Sequence, residues 1–387
     1  METINKKPKS GNLNYNSNWS DLPSEVLQLI IKRLPFVDLL RFKAVSTSSL
    51  LLQNSYVSSP FYSPVPQTPW LMLPSDQEDD PNSRCFFSLS EKKVYKLNNL
   101  LDGFRGPIHY VGSSYGWLII WDDKYNPTLL NPFSGAKFAL PPTVPRNLVY
   151  PSPRKYKELS IWMGIRKAIL FSDPSRTEDF LVAMLYGIGR LAFYKHGESS
   201  PWTHLTKNSR ETRYHGIAYH NDKLYALHES GIDVWDFGNP FPTKVSTIEL
   251  SRHMTLHKNR SDSKNFRCYR NIVESMGELF FVYLFTFCNS STSTRGHEIR
   301  IYKFNPGENT WEQQENLCGR SLFIANHQIM AVCARDFPEW EENSVYFADE
   351  SDLGLYKLPI NGDVMEPLFQ QRKSNTYSPP CWIVPNF

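Results

Sequence analysis

From residue 66 onward, short apolar runs alternate with polar turns. GWLIIWDDKYNPTLLNP (116–132) reads as strand, turn, strand, and FLVAMLYGIGRLAFYKHGESSPWTHL (180–205) as strand, Gly turn, strand, turn, strand. GIAYHNDKLYALHESGIDVWDF (216–237) is a meander that turns at Asn221-Asp222 and at Ser230-Gly231. ELFFVYLFTFC followed by HEIRIYKFNPGENTWEQQ (297–314) repeats the scheme, and SVYFADESDLGLYKLPI (344–360) repeats it once more. The unit is an apolar strand, a polar turn, a second strand with a Tyr pair, and often a Trp near the end. It recurs at roughly 50 residues, about six times before the end of the chain. Antiparallel meanders repeated radially limit exposed sheet edges. The predicted fold class is therefore mainly β, a propeller of about six blades; a stacked pair of sandwiches needs similar strands at less regular spacing. TPWLMLP (68–74) and PPCWIVPNF (379–387) read as strands at the two ends of this region. They are expected to lie in one blade and close the ring, with Trp70 and Trp382 filling that blade's core.

The front of the chain has a different period. In LPSEVLQLIIKRLPFVDLLRFKAVS (22–46), apolar residues at Val26, Leu27, Ile30, Ile31 and Leu34 fall on one helical stripe. Ser24 can cap this helix, or Pro23 can occupy its first position. Pro35 is expected to stop it. Asp38 can cap a second helix carrying Leu39, Leu40, Phe42 and Val45, and Leu50, Leu51 and Leu52 can make an apolar third one. Helices this short need a packing partner, since about 12–15 residues is marginal in isolation. The stripe is either the inner face of a local hairpin or an interface. FYSPVPQTPWLMLP is Pro-rich and extended, a linker running into the first strand, and QEDDPNS (77–83) is an exposed acidic turn.

Composition narrows the classes. Hydrophobic residues make up 41% of the 387 and aromatics 14%, enough for an extensive core. Prolines (28) outnumber glycines (19), which favours turns over long helices. The net charge of +3 carries no prediction of nucleic-acid or membrane binding. The N-terminus has no apolar signal-peptide core, and the longest apolar run, LFFVYLFTFC, is too short to span a bilayer. The six cysteines are widely spaced without a C-x-x-C pair. An intracellular protein with reduced thiols, in the nucleus and/or cytoplasm, is expected.

Residues 21–46 resemble an F-box, whose familiar form is LP, an apolar helix, LP, then DLLRFRAV and a C-K-x-W-R segment. The resemblance implies docking on a Skp-type adaptor and, through it, on a cullin, with Leu22, Pro23, Val26, Ile30, Leu34, Pro35 and Leu39 facing the adaptor. In place of C-K-x-W-R this chain has STSSLLLQNS (46–55). GSSYGWLIIWDDKYNPTLLNPFSGAKFALPP, VESMGELFFVYLF, IYKFNPGENTWEQQENLCGRSLFI and DFPEWEENSVYFADE resemble, in order, the plant kelch-like KIB-type β-propeller that commonly follows an F-box. The implied organisation is a disordered tail (1–17), an F-box (18–58), a linker (59–66) and a kelch-like propeller (67–387). The implied function is substrate recognition in a Skp–cullin–F-box ubiquitin ligase, with the target protein bound by the propeller. The alternative is a non-ubiquitinating interaction scaffold with a degenerate F-box.

No catalytic, cofactor or metal residues are assigned, and no enzyme is expected. Gly112-Ser113-Ser114-Tyr115-Gly116 fits G-x-S-x-G, but strand rather than helix follows, so a turn serine is expected. His215 and His220 lack neighbouring ligands for zinc, and His253 and His257 sit in a polar, loop-like stretch. Gly187-Ile188-Gly189 lacks the third glycine of a dinucleotide loop. Asp79-Asp80 and Asp122-Asp123 read as turn residues.

Overall fold

The computed structural model describes residues 22–31, 33–34, 36–43, 51, 67–74, 80–104, 108–122, 126–142, 164–198, 201–206, 212–239, 241–251, 254, 263–289, 295–325, 328–337, 340–349, 354–360, 365–370 and 379–386. The chain divides into two compact units, Met1–Val65 and Pro66–Phe387. The expected tail (1–17) and linker (59–66) lie outside the described residues.

The first unit contains helices α1 (Ser24–Ile31) and α2 (Phe36–Lys43). The backbone amides of Val26 and Leu27 donate to Pro23 O at 3.1 and 3.2 Å, which starts α1 one residue after the proline. The helix ends at Ile31 in a turn where Arg33 N–H donates to Ile30 O and Leu34 N–H to Ile31 O. Pro35 itself lies outside the described residues, so the end of the helix is visible but its expected stop is not. Asp38 does not cap α2. It stands inside the first turn, where its carboxylate accepts from Arg41 Nη1 at 2.8 Å. Leu27, Ile31 and Phe42 make a small core, with Ile30, Leu34 and Leu39 packed against it. This contact supplies the packing that helices of eight residues need. Of the expected third helix only Leu51 is described; it is helical and exposed.

The second unit is a six-sheet propeller. Its first blade begins with β1 (Trp70–Met72), β2 (Arg84–Ser88) and β3 (Lys93–Leu97). The second holds β4 (His109–Ser114), β5 (Trp117–Trp121), β6 (Pro127–Leu130) and β7 (Lys137–Ala139). The third holds β8 (Ile165–Leu170), β9 (Leu181–Tyr186), β10 (Arg190–Lys195) and β11 (Thr203–His204). The fourth holds β12 (Tyr214–His220), β13 (Lys223–His228), β14 (Gly231–Asp236) and β15 (Thr243–Glu249). The fifth holds β16 (Ser263–Ser275), β17 (Glu278–Asn289), β18 (Arg295–Asn305) and β19 (Thr310–Gln314). Blades two to five are antiparallel meanders in sequence order. Their middle strands are buried on both faces, as in β5 where all five residues are buried, and so they read as unbroken apolar runs. Their last strands, such as β15, are mostly exposed.

A shared device turns the third strand into the fourth. Asn131 Oδ1 accepts from the amides of Phe133 and Ser134, both at 3.0 Å. Asp236 Oδ1 accepts from Gly238 N–H at 2.7 Å, and Asn305 Oδ1 from Gly307 N–H at 3.0 Å. Asn and Asp mimic a backbone turn in this way. The recurring Asn-Pro and Asp-Phe-Gly phrases are these turns.

The sixth blade departs from the repeat. It holds β20 (Arg320–Ala325), β21 (Gln328–Cys333), β22 (Ser344–Asp349), β23 (Gly354–Pro359) and β24 (Glu366–Gln370), in the order β21-β20-β22-β23-β24. β20 and β22 are parallel. The chain enters at the second position, visits the inner position with β21, and crosses back through a short 3₁₀ turn at Ala334–Asp336.

The last strand, β25 (Cys381–Ile383), joins the first blade. It pairs antiparallel with β1, setting Trp70 opposite Ile383, Leu71 opposite Trp382 and Met72 opposite Cys381. The expected closure is therefore present. The expected shared core is not: Trp382 faces the same side as Leu71 and packs with Phe323 and Leu355, while Trp70 faces the other side. There Trp70 stacks on Tyr95 at 5.0 Å and meets the edge of Phe133 at 5.6 Å. Strand alternation dictates this, because residues directly opposite in a ladder share a face and neighbours do not.

The inner strands approach closely. A Cβ at Gly112 would lie 2.0 Å from Ala168 O on β8, a backbone atom. Gly112→Val should therefore lower the urea midpoint by the equivalent of about 3 kcal/mol or more, the upper range for overpacking. A variant that unfolds at the parental midpoint would show that β4 and β8 are not in contact there.

Candidate functional site

Two places present chemistry: the outer face of α1 and the channel enclosed by the inner strands. On α1, Leu27 and Ile31 turn inward, yet Leu22 is 36% exposed, Val26 41% and Leu29 57%. Val26 and Leu29, three residues apart, lie on one line of α1, and Leu22 stands just before the helix begins. The helix has apolar residues on two sides, and only one side is packed. Pro23 is also exposed. Ile30, Leu34 and Leu39 are half-buried against the small core, so they brace the face more than they form it. Pro35 is outside the described residues. Leu29 was not among the sequence candidates; its spacing from Val26 and Leu22 was the available signal.

In the propeller, β25, β4, β8, β12, β16 and β21 are the innermost strands of the six blades. Four carry register irregularities near their starts, at Val111 in β4, Arg166 in β8, His215 in β12 and between Lys264 and Arg267 in β16. A bulge re-aims the extra side chain. Arg166 and His215, with Arg270 of β16, line a cavity of about 120 Å³. An adjoining cavity of about 300 Å³ is lined by Lys167, Tyr115, Tyr219 and Glu274 among others, and Gln328 and Ile329 border both. Lys167 is 6% exposed, and its Nζ donates to Asn271 Oδ1 at 2.8 Å. Burial pushes its pKa down to about 7. The His215 imidazole is held below its ordinary value by burial and by the charges of Arg270 and Arg166. Sequence reading missed Arg166, Lys167 and Arg270; the signal was two adjacent basic residues inside the otherwise apolar IRKAIL.

A second polar cluster surrounds Asp233. Asp233 accepts from Tyr214 Oη and Thr247 Oγ1, both at 2.6 Å, and has Lys244 and His228 close by. Burial alone would raise its pKa, but the hydrogen bonds from His228, Thr247 and Tyr214 outweigh that and hold it well below the usual carboxylate range. Ser113 Oγ donates to Trp382 O, and Ser114 Oγ accepts from Leu170 N–H at 3.2 Å. Both serines of the G-x-S-x-G phrase thus tie blade two to its neighbours. Gly187 and Gly189 form the β9–β10 turn. Among the described residues no group of His, Cys, Asp and Glu is arranged to hold a metal ion. His253 and His257 lie outside them.

Residues 86–357, most of the chain, match the KIB1-4 beta-propeller. The chain belongs to the KIB1-4 beta-propeller family. Residues 19–52 match the F-box domain. The chain is similar to the F-box/kelch-repeat protein KIB1 of Arabidopsis thaliana, 25% identical over 358 residues covering 89% of this chain and 85% of that one. It is also similar to F-box protein At2g05970 of the same plant, 24% identical over 404 residues covering 97% and 98%. An F-box joined to a KIB1-4 propeller supports a substrate-adaptor role in complexes built on a Skp-type adaptor.

Proposed function

We propose that this chain is the substrate-recognition subunit of a Skp–cullin–F-box ubiquitin ligase. The F-box match coincides with a helix whose second apolar side, Val26 and Leu29, is left exposed together with Leu22 just before it, and that observation carries the reading. Leu22, Pro23, Val26 and Leu29 form the adaptor face, braced by Ile30, Leu34 and Leu39, with Pro35 assigned to the same face. The propeller holds the target protein in the nucleus and/or cytoplasm. Such a receptor makes and breaks no bonds. It raises the local concentration of target lysines near the loaded ubiquitin-carrying enzyme.

Val26→Asp with Leu29→Asp should abolish co-purification with a Skp-type adaptor, because each carboxylate would be desolvated in the contact. Single substitutions should each weaken binding by roughly tenfold or more, the effect of a contact worth about 2 kcal/mol. The propeller should melt unchanged. Adaptor capture that persists in the double variant would refute the assigned face. An adaptor complex that fails to recruit a cullin would leave the scaffold reading in its place.

A further inference from the structure

Among the described residues one carboxylate, Glu274, shares the propeller channel with the cations Arg166, Lys167 and Arg270, and it forms no ion pair with them. Among the described residues no carboxylate stands within ion-pair distance of Arg166, Lys167 or Arg270. Asp349 faces Arg267 instead, at 3.8 Å. The acid that acts on His215 is Glu229, which is exposed in the β13–β14 turn, and His228 opposes it. Among the described residues Lys167 has a single hydrogen-bond partner for three donors, and that partner, Asn271, itself lines the smaller cavity. Gln328 Oε1, which borders both cavities, is buried without a partner.

Uncompensated cations brought together inside a fold cost stability, so their persistence points to an occupant that neutralises them. Burial presses Lys167 toward its neutral form, and burial with the charges of Arg270 and Arg166 does the same to His215. The two bulges aim Arg166 and His215 toward the place that Arg270 reaches from the next blade. Guanidinium forks match tetrahedral oxyanions bidentately. About 120 Å³ admits one such oxyanion and a few waters, each with about 30 Å³ in the liquid, but no bulky attachment.

We propose that this end of the channel is a binding site for a phosphomonoester group, clamped by Arg166 and Arg270, with His215 beside them and Lys167 behind. Gln328 Oε1 accepts from the protonated oxygen of the monoanion. The group can arrive on a small soluble molecule or on a phosphorylated side chain of a protein held over the propeller. The site belongs to the propeller alone and does not depend on the adaptor face. Occupation favours the charged forms of Lys167 and His215, so binding takes up protons.

The test is calorimetric titration of the full chain with inorganic phosphate, O-phosphoserine and a phosphoserine peptide library matched to its serine counterpart. Two buffers of different ionisation enthalpy report proton uptake. Saturable binding with net uptake at pH 7.5 is expected, weakened roughly tenfold or more by Arg166→Gln and again by Arg270→Gln. Arg166→Lys, which keeps charge and loses the fork, should fall between. Free O-phosphoserine binding as tightly as the peptides identifies a small-molecule source, and tighter phosphopeptide binding identifies a protein source. The two glutamine variants should melt at or above the parental temperature, since each removes an uncompensated cation. No saturable binding of any phosphate probe overturns the proposal. So does affinity unchanged in the double variant, or equal binding of the serine library.

Discussion

Deleting residues 379–387 is expected to leave the propeller aggregated or melting many degrees lower. β25 is the innermost strand of the first blade, and without it β1 loses a ladder partner along its whole length. Trp382 is 0% exposed, its indole N–H donates to Ile324 O at 3.2 Å, and its ring meets the face or edge of Phe323 at 5.0 Å. That one side chain locks the first blade to the sixth. The segment then crosses blade two. Asn386 donates to Tyr115 O and to Asp173 Oδ2, both at 3.2 Å, and its own carbonyl accepts from Asn131 Nδ2. Gly116, at φ +81°, has no room for a Cβ, which would lie 2.4 Å from that of Asn386. The segment thus connects the first blade to the sixth, the second and the third. Trp382→Ala alone should cost about 3–5 kcal/mol by loss of buried area and by the cavity left behind. Denaturant unfolding of the substituted chain checks this, and a truncated chain that melts with the intact one would sink the closure.

Lys167→Met is expected to stabilise the protein near neutral pH. The amine titrates near 7 in the fold and near 10.5 when exposed, so the folded state binds fewer protons. Below pH 7 the full penalty of burying or neutralising the amine is present. It shrinks as pH rises from 7 toward 10.5, where both states are neutral. At about 1.4 kcal/mol per pKa unit the penalty is on the order of several kcal/mol at pH 7. Methionine fills similar space without a charge, and Asn271 Oδ1 keeps its bond from Ile272 N–H at 3.0 Å. The variant should therefore unfold at higher urea at pH 7, with the gain narrowing by pH 10. A gain that is constant with pH, or a loss, would show that Lys167 is charged and compensated in the fold. The expected gain accords with a residue retained for what it binds, since stability and function often oppose one another at such positions.

The sequence alone determined the class of fold and an approximate count of about six blades; the structure fixed the count at six sheets. Strands such as WLIIW and LVAMLY had to be buried on both faces, because no polar residue interrupts them. Asn131, Asp236 and Asn305 fixed turns through bonds to amides two or three residues away, a local interaction legible without tertiary contacts. The two terminal segments could be joined because an open ring would leave backbone groups unpaired. Tertiary structure decided the rest. Which side of the first blade Trp70 and Trp382 face depends on ladder register, and the parallel crossing of β20 and β22 depends on a connection whose length alone does not give its path. Leu29 and Leu27 are both leucines on one helix; only the position of Phe42 makes one core and the other surface. Arg166 and Lys167 of the third blade meet Arg270 of the fifth because bulges and ring closure bring their strands to a common axis. Charge convergence of that kind is a long-range property, and neither composition nor periodicity carries it.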